Sequence, residues 1–111
     1  MTAPKLIRRE WTEDLLAGSV RLRCTYQRHG KQVLRFTVQL EALCGERWCP
    51  VVRYDNAHGF SHRDTIHADG TQEKTALFVG DVNATFTYAI HDLKANWPAY
   101  HARYLLETTH D

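Results

Sequence analysis

A chain of 111 residues is one domain by length, and such a domain buries roughly two thirds of the surface its unfolded chain exposes, so it folds without staples. A composition 43% apolar and 24% charged is that of an ordinary soluble globular protein and argues against disorder over most of the chain, and 14 basic against 13 acidic residues exclude a global field drawing it to nucleic acid or an anionic membrane. Cys24, Cys44 and Cys49 form no CxxC pair and cannot all pair with one another. "MTAPKLIRRE" lacks an apolar core, and no apolar run approaches a membrane span, so the expectation is a cytoplasmic protein with reduced thiols.

In chain order, "KLIRREW" (5–11) and "GSVRLRCTYQR" (18–28) read as strands. In the second, Val20, Leu22, Cys24 and Tyr26 alternate with Arg21, Arg23, Thr25 and Gln27. A turn at "HGK" (29–31) leads to "QVLRFTVQLEALC" (32–44), where Leu34, Phe36, Val38 and Leu40 alternate with Arg35, Thr37, Gln39 and Glu41. After "GER" (45–47), "WCPVVRYD" (48–55) is a fourth strand with Pro50 near its start or at a bulge. Residues 60–67 and 73–79 form a hairpin about "ADG", in which Asp69-Gly70 is a strong turn signal.

The period then changes. From Asp81, an N-cap, the residues Val82, Phe86, Ala89, Ile90, Leu93 and Trp97 fall at helical spacing. Pro98 either kinks this helix or opens a second one carrying Tyr100, Tyr104 and Leu105, and "ETTHD" is expected to fray. The fold class is α+β: an antiparallel meander of five or six strands with one or two C-terminal helices on one face. Arg21, Arg23 and Arg35 project from the other.

Chemistry concentrates in "RYDNAHGFSHRDTIHADG", 53–70, with three histidines, three aspartates and two arginines. As metal ligands, His58, His62, His67, Asp55, Asp64 and Asp69 offer suitable atoms. On an extended strand, however, His62 and Asp64 share one face while Arg63 and His67 take the other, so the donors do not converge along the chain without a bend. No HExxH or Cys/His ribbon is present, and neither metal nor any cofactor is expected.

Metal-independent RNA cleavage needs a base for the 2′-hydroxyl, an acid for the leaving oxygen and a cation for the phosphorane. Tyr54, His58, His62, Arg63 and Lys74 supply those types. In this reading His62 is base or acid, Arg63 the phosphate clamp, and Tyr54 and His58 auxiliary groups, with Asp55 or Asp64 orienting a tautomer. Arg21, Arg23, Arg35 and Lys74 would track phosphates. The plainer reading makes Tyr54 and His62 satisfied hydrogen-bonding residues under the helix and Asp55-Asn56 an Asx turn. The arginines would then pair with Glu41 or Glu10 on a solvated face. No nucleophile stands out: Ser61 points away from His62, and nothing in the sequence argues for an activated Cys49 thiol.

The stretch "VVRYDNAHGFSHRDTIHADGTQEK" (51–74), followed by "FTYAIHDLKANW", resembles the TumE-like toxin components of toxin–antitoxin systems over roughly residues 50–106. Shared features are a strand ending in tyrosine-aspartate-asparagine, a glycine, a histidine-containing strand, a glycine turn and a C-terminal helix. Tyr54, Asp55, Asn56, Gly59, His62 and Arg63 match. The resemblance implies a protein antitoxin partner and an RNA-directed toxic activity. The alternative is a non-catalytic interaction module or homo-oligomer, contacting its partner through the polar sheet face or through Trp97, Tyr100 and Tyr104.

Overall fold

We describe residues 5–77 and 80–109 of a computed structural model. Six strands, β1 (Leu6–Leu16), β2 (Val20–His29), β3 (Gln32–Cys44), β4 (Arg47–Asp55), β5 (His62–Ile66) and β6 (Gln72–Ala76), precede one helix, α1 (Val82–Thr108). The strands form one sheet in sequence order, each antiparallel to the next. The architecture is therefore an α+β meander under a single helix. No helix among the described residues is long and apolar enough to cross a membrane.

Alternation decides which face meets α1. Val20, Leu22, Cys24, Phe36, Val38, Leu40, Ala42, Val52 and Tyr54 are buried on one face, where Ala89, Leu93 and Tyr104 of α1 pack against them. The helix turns its stripe inward through Val82, Thr85, Phe86, Ala89, Ile90, Leu93, Trp97, Tyr100 and Tyr104, three and four residues apart. It starts where Asp81 accepts a hydrogen bond from the Ala84 N–H at 2.8 Å.

Three outcomes correct or narrow the sequence expectation. Leu34 is exposed while Val33 is buried, because Arg28 pairs with Val33 and Gln27 with Arg35, leaving Leu34 as the extra residue of a bulge. Of the two alternatives at Pro98, a second helix is excluded, since α1 runs through it from Val82 to Thr108. Pro98 sits on the solvent side of α1, four residues after the exposed Lys94, so water can serve the carbonyl that loses its N–H partner. The tail is anchored through Glu107, which accepts from the Ala68 N–H and from Arg103. Pro50 does sit beside a bulge, since Leu40 pairs with Val52 and Glu41 with Pro50, skipping Val51. The last two residues of the strand expected at 73–79, and the end of the tail, lie outside the described residues.

Candidate functional site

Pairing register writes rows of side chains across the sheet face that α1 leaves uncovered. One row reads Glu10, Thr25, Thr37, Asp55, His62; the next Thr12, Arg23, Gln39, Arg53, Asp64, Lys74; flanking them are Arg8, Gln27, Arg35 and Asp14, Arg21, Glu41. Arg21, Arg23, Arg35 and Lys74, the four phosphate-binding candidates, thus share this face with His62. Tyr54 and Arg63 face α1 instead, so the four candidates for catalysis divide between the two sides of the sheet.

On the helix side Tyr54 and Tyr100 share one carboxylate, while Arg63 Nε is buried without a hydrogen-bond partner among the described residues. The Tyr54 hydroxyl donates to Asp92 at 2.6 Å, and Tyr100 donates to the same carboxylate at 2.8 Å. Burial, and then the bond to Asp92, push the Tyr54 phenol far above the usual tyrosine range, and the same causes push Tyr100 up to about 12. Both are held as proton donors to a carboxylate. The Arg63 guanidinium lies 4.8 Å from the Tyr100 ring centroid and 5.9 Å from that of Tyr54.

On the open face most charges are paired laterally. Arg21 donates to Glu41 at 2.6 Å and stacks over Trp48, Arg23 donates to Glu10 at 2.8 Å, and Arg53 donates to Gln39, which in turn donates to Glu41. These are the pairings with Glu41 and Glu10 expected of a solvated face. Two adjoining depressions interrupt the surface. Arg8, Gln27, Arg35, Thr37, Asn56 and Ala57 line one of about 210 Å³, and Arg23, Thr25, Thr37 and Gln39 line the other. Both are smaller and shallower than an enclosed small-molecule site, and together they make a groove floored by threonines and rimmed by arginines.

At the β4–β5 end of the same face, Asp55 is followed by an Asx turn in which its Oδ1 accepts from the Ala57 N–H at 3.0 Å. Asn56 ties the turn to β3, accepting from the Phe36 N–H and donating to the Leu34 carbonyl. The loop that follows folds back, so that the exposed His58 stacks on His62 with ring centroids 6.2 Å apart and Phe60 leans on it at 5.6 Å. Beneath them His62 is only 2% exposed. Its Nε2 lies 3.0 Å from Asp55 Oδ1 and 3.7 Å from Asp64 Oδ2. His62 Nδ1 and Asp64 Oδ1 are buried without a hydrogen-bond partner among the described residues.

The donors that do not converge along the chain therefore do so across a strand pair, because Asp55 stands directly opposite His62. His67 is elsewhere, bonded to Glu107 at 2.7 Å and Glu73 at 3.0 Å. Sequence reasoning missed Arg8, Arg53 and Asp92. The first two follow from alternation once the rows are known; Asp92 carried a signal only in standing four and eight residues before Asn96 and Tyr100, which both donate to it.

No curated protein and no solved structure matches the chain. Residues 7–110 match a family model described as a domain of unknown function (DUF7718), and the chain belongs to that family.

Proposed function

We propose that this protein acts in the cytoplasm by binding single-stranded RNA along the open face of its sheet. The observation that carries this reading is the groove rimmed by Arg8, Arg23 and Arg35, with Lys74 on the same face. Charges on the face nearly cancel overall, so attraction is local: guanidinium groups at the rim meet phosphates, while Thr25, Thr37, Gln27 and Gln39 offer hydrogen bonds along the floor. An extended strand fits a shallow groove better than a small molecule does.

The TumE-like resemblance adds a consequence, a toxin restrained by a protein antitoxin. The exposed Leu105 and Leu106 near the end of α1 offer an apolar patch for such a partner. Cleavage is a second reading, favoured by one feature: His58 is solvent-accessible and stacked on His62, whose Nε2 is held by Asp55. His58 is then the reachable proton acceptor, with Tyr54 and Arg63 as supports behind the sheet.

The test is fluorescence anisotropy with a labelled single-stranded RNA at several salt concentrations. Binding should weaken with salt, and Arg23→Ala with Arg35→Ala should reduce the log–log salt slope by about 0.7 per phosphate contact removed. Absence of binding at low salt, or an unchanged slope in the double variant, overturns the reading. Product analysis of the same mixtures, with His58→Ala as control, separates binding from cleavage, and growth arrest on expression tests the toxin assignment.

A further inference from the structure

The geometry points to a divalent-cation site formed by Asp55, His62 and Asp64 on the open face, where β4 and β5 pair. One ligand atom from each residue lies within 4.8 Å of the others. His62 Nε2 is 3.0 Å from one carboxylate oxygen and 3.7 Å from the second. A four-coordinate ion with bonds of about 2.0–2.1 Å holds its ligand atoms about 3.3 Å apart, so the two separations bracket what a single ion requires.

The three residues are placed by register rather than by a flexible loop. Asp55 and His62 are directly opposed, and Asp64 follows two residues later on the same face. Imidazole with two carboxylates suits manganese, iron or zinc, and leaves positions for water.

The second, independent observation is an unmet need. Asp64 is 3% exposed, and its Oδ1 has no hydrogen-bond partner among the described residues. A buried carboxylate with an empty oxygen is costly unless something positive reaches it. Arg53 and Lys74 flank Asp64 in its row, yet Arg53 Nε is bonded to Gln39 and neither residue forms an ion pair with Asp64 among the described residues. A cation seated between His62 Nε2, Asp55 Oδ1 and Asp64 answers that need. To give its lone pair to the ion Nε2 would have to carry no proton, so the site requires the neutral His62 tautomer protonated on Nδ1. His58 and Phe60 lie over the ring and shield the site.

The experiment uses full-length protein without a histidine tag, stripped with chelator and titrated with manganese(II). The free-ion resonance should disappear up to one equivalent and return when zinc(II) is added. The melting temperature should rise by about 10 °C once free manganese reaches about a hundredfold excess over Kd. Asp64→Asn, which keeps the shape and removes the charge, should fold at least as stably without metal while losing the manganese-induced shift and at least tenfold in affinity. His62→Gln should do the same to binding. No stoichiometric uptake by the folded wild type, or uptake unchanged in folded Asp64→Asn, overturns the proposal.

Discussion

The two faces of the sheet are made from the same strands by the same alternation, yet they solve opposite problems. On the face under α1, alternate side chains through the middle of β2, β3 and β4 are apolar, and the hydroxyls of Tyr54 and Tyr100 share one carboxylate, Asp92. On the open face the intervening residues are charged or polar and pair sideways, strand to strand, and among the described residues of this face only the His62–Asp64 corner keeps buried side-chain atoms without a partner. In the proposed reading, stability belongs to the first face and recognition to the second. Each face keeps one buried polar corner short of partners among the described residues: Arg63 Nε under α1, and His62 Nδ1 with Asp64 Oδ1 on the open face.

Substitutions sharpen that division, beginning with the core. Leu40→Ala removes a fully buried side chain at the centre of the helix face and should cost about 2–5 kcal/mol in denaturant unfolding. At temperatures where the variant stays folded, its RNA affinity should match wild type. Next comes Tyr54→Phe, which strips Asp92 of one donor in a half-dry site and should cost about 1.5–3 kcal/mol. If Tyr54→Phe instead abolished an RNA-directed activity at unchanged stability, the separation of the two faces would fail. By contrast Arg23→Ala breaks an exposed pair with Glu10, which is worth about 0–1 kcal/mol, and should be felt in RNA binding far more than in the melting curve.

How much of this was legible before the structure follows the same division. β3 was readable over 32–44 because thirteen residues of alternation leave little choice, and the helix was readable because its stripe recurs from Val82 to Trp97. Leu34 was not, since a one-residue bulge depends on how the neighbouring strand pairs, and alternation within a single strand cannot show it. That His62 and Asp64 share a face was evident from their spacing. Which face they share was not: it depends on Asp55 standing opposite His62, a register set by the loop between them. The same register brings Asp55 to His62, a convergence no spacing along one strand could announce. Asp92 was hidden for a related reason, because one acidic residue beside an apolar stripe gains meaning only when two tyrosines arrive from β4 and from two turns further along the helix.

The smallest effect concerns where the two faces meet at the sheet's end. His67, at the tip of the β5–β6 hairpin, bonds Glu107 in the last turns of α1 and Glu73 of β6, while Arg103 reaches back to the Ile66 and Val51 carbonyls. Hydrogen bonds to Glu107 and then Glu73 raise the His67 pKa above its ordinary 6.5. For Glu107 burial works upward, but the bonds from His67 and the Ala68 N–H, with Arg103 nearby, hold it below its ordinary 4.5. A raised histidine contributes stability that is complete below pH 6.5 and lost as pH rises through the folded value; a lowered glutamate contributes stability present above pH 4.5 and lost as pH falls through its own. The clasp is therefore tightest between those limits. The denaturation midpoint of wild type should fall modestly between about pH 5.5 and about pH 8.5, and His67→Gln should flatten that fall while leaving RNA affinity in place. An equal slope in both proteins would show that the hairpin end is held by Arg103 and packing alone, and that α1 docks on the sheet without help from this ion pair.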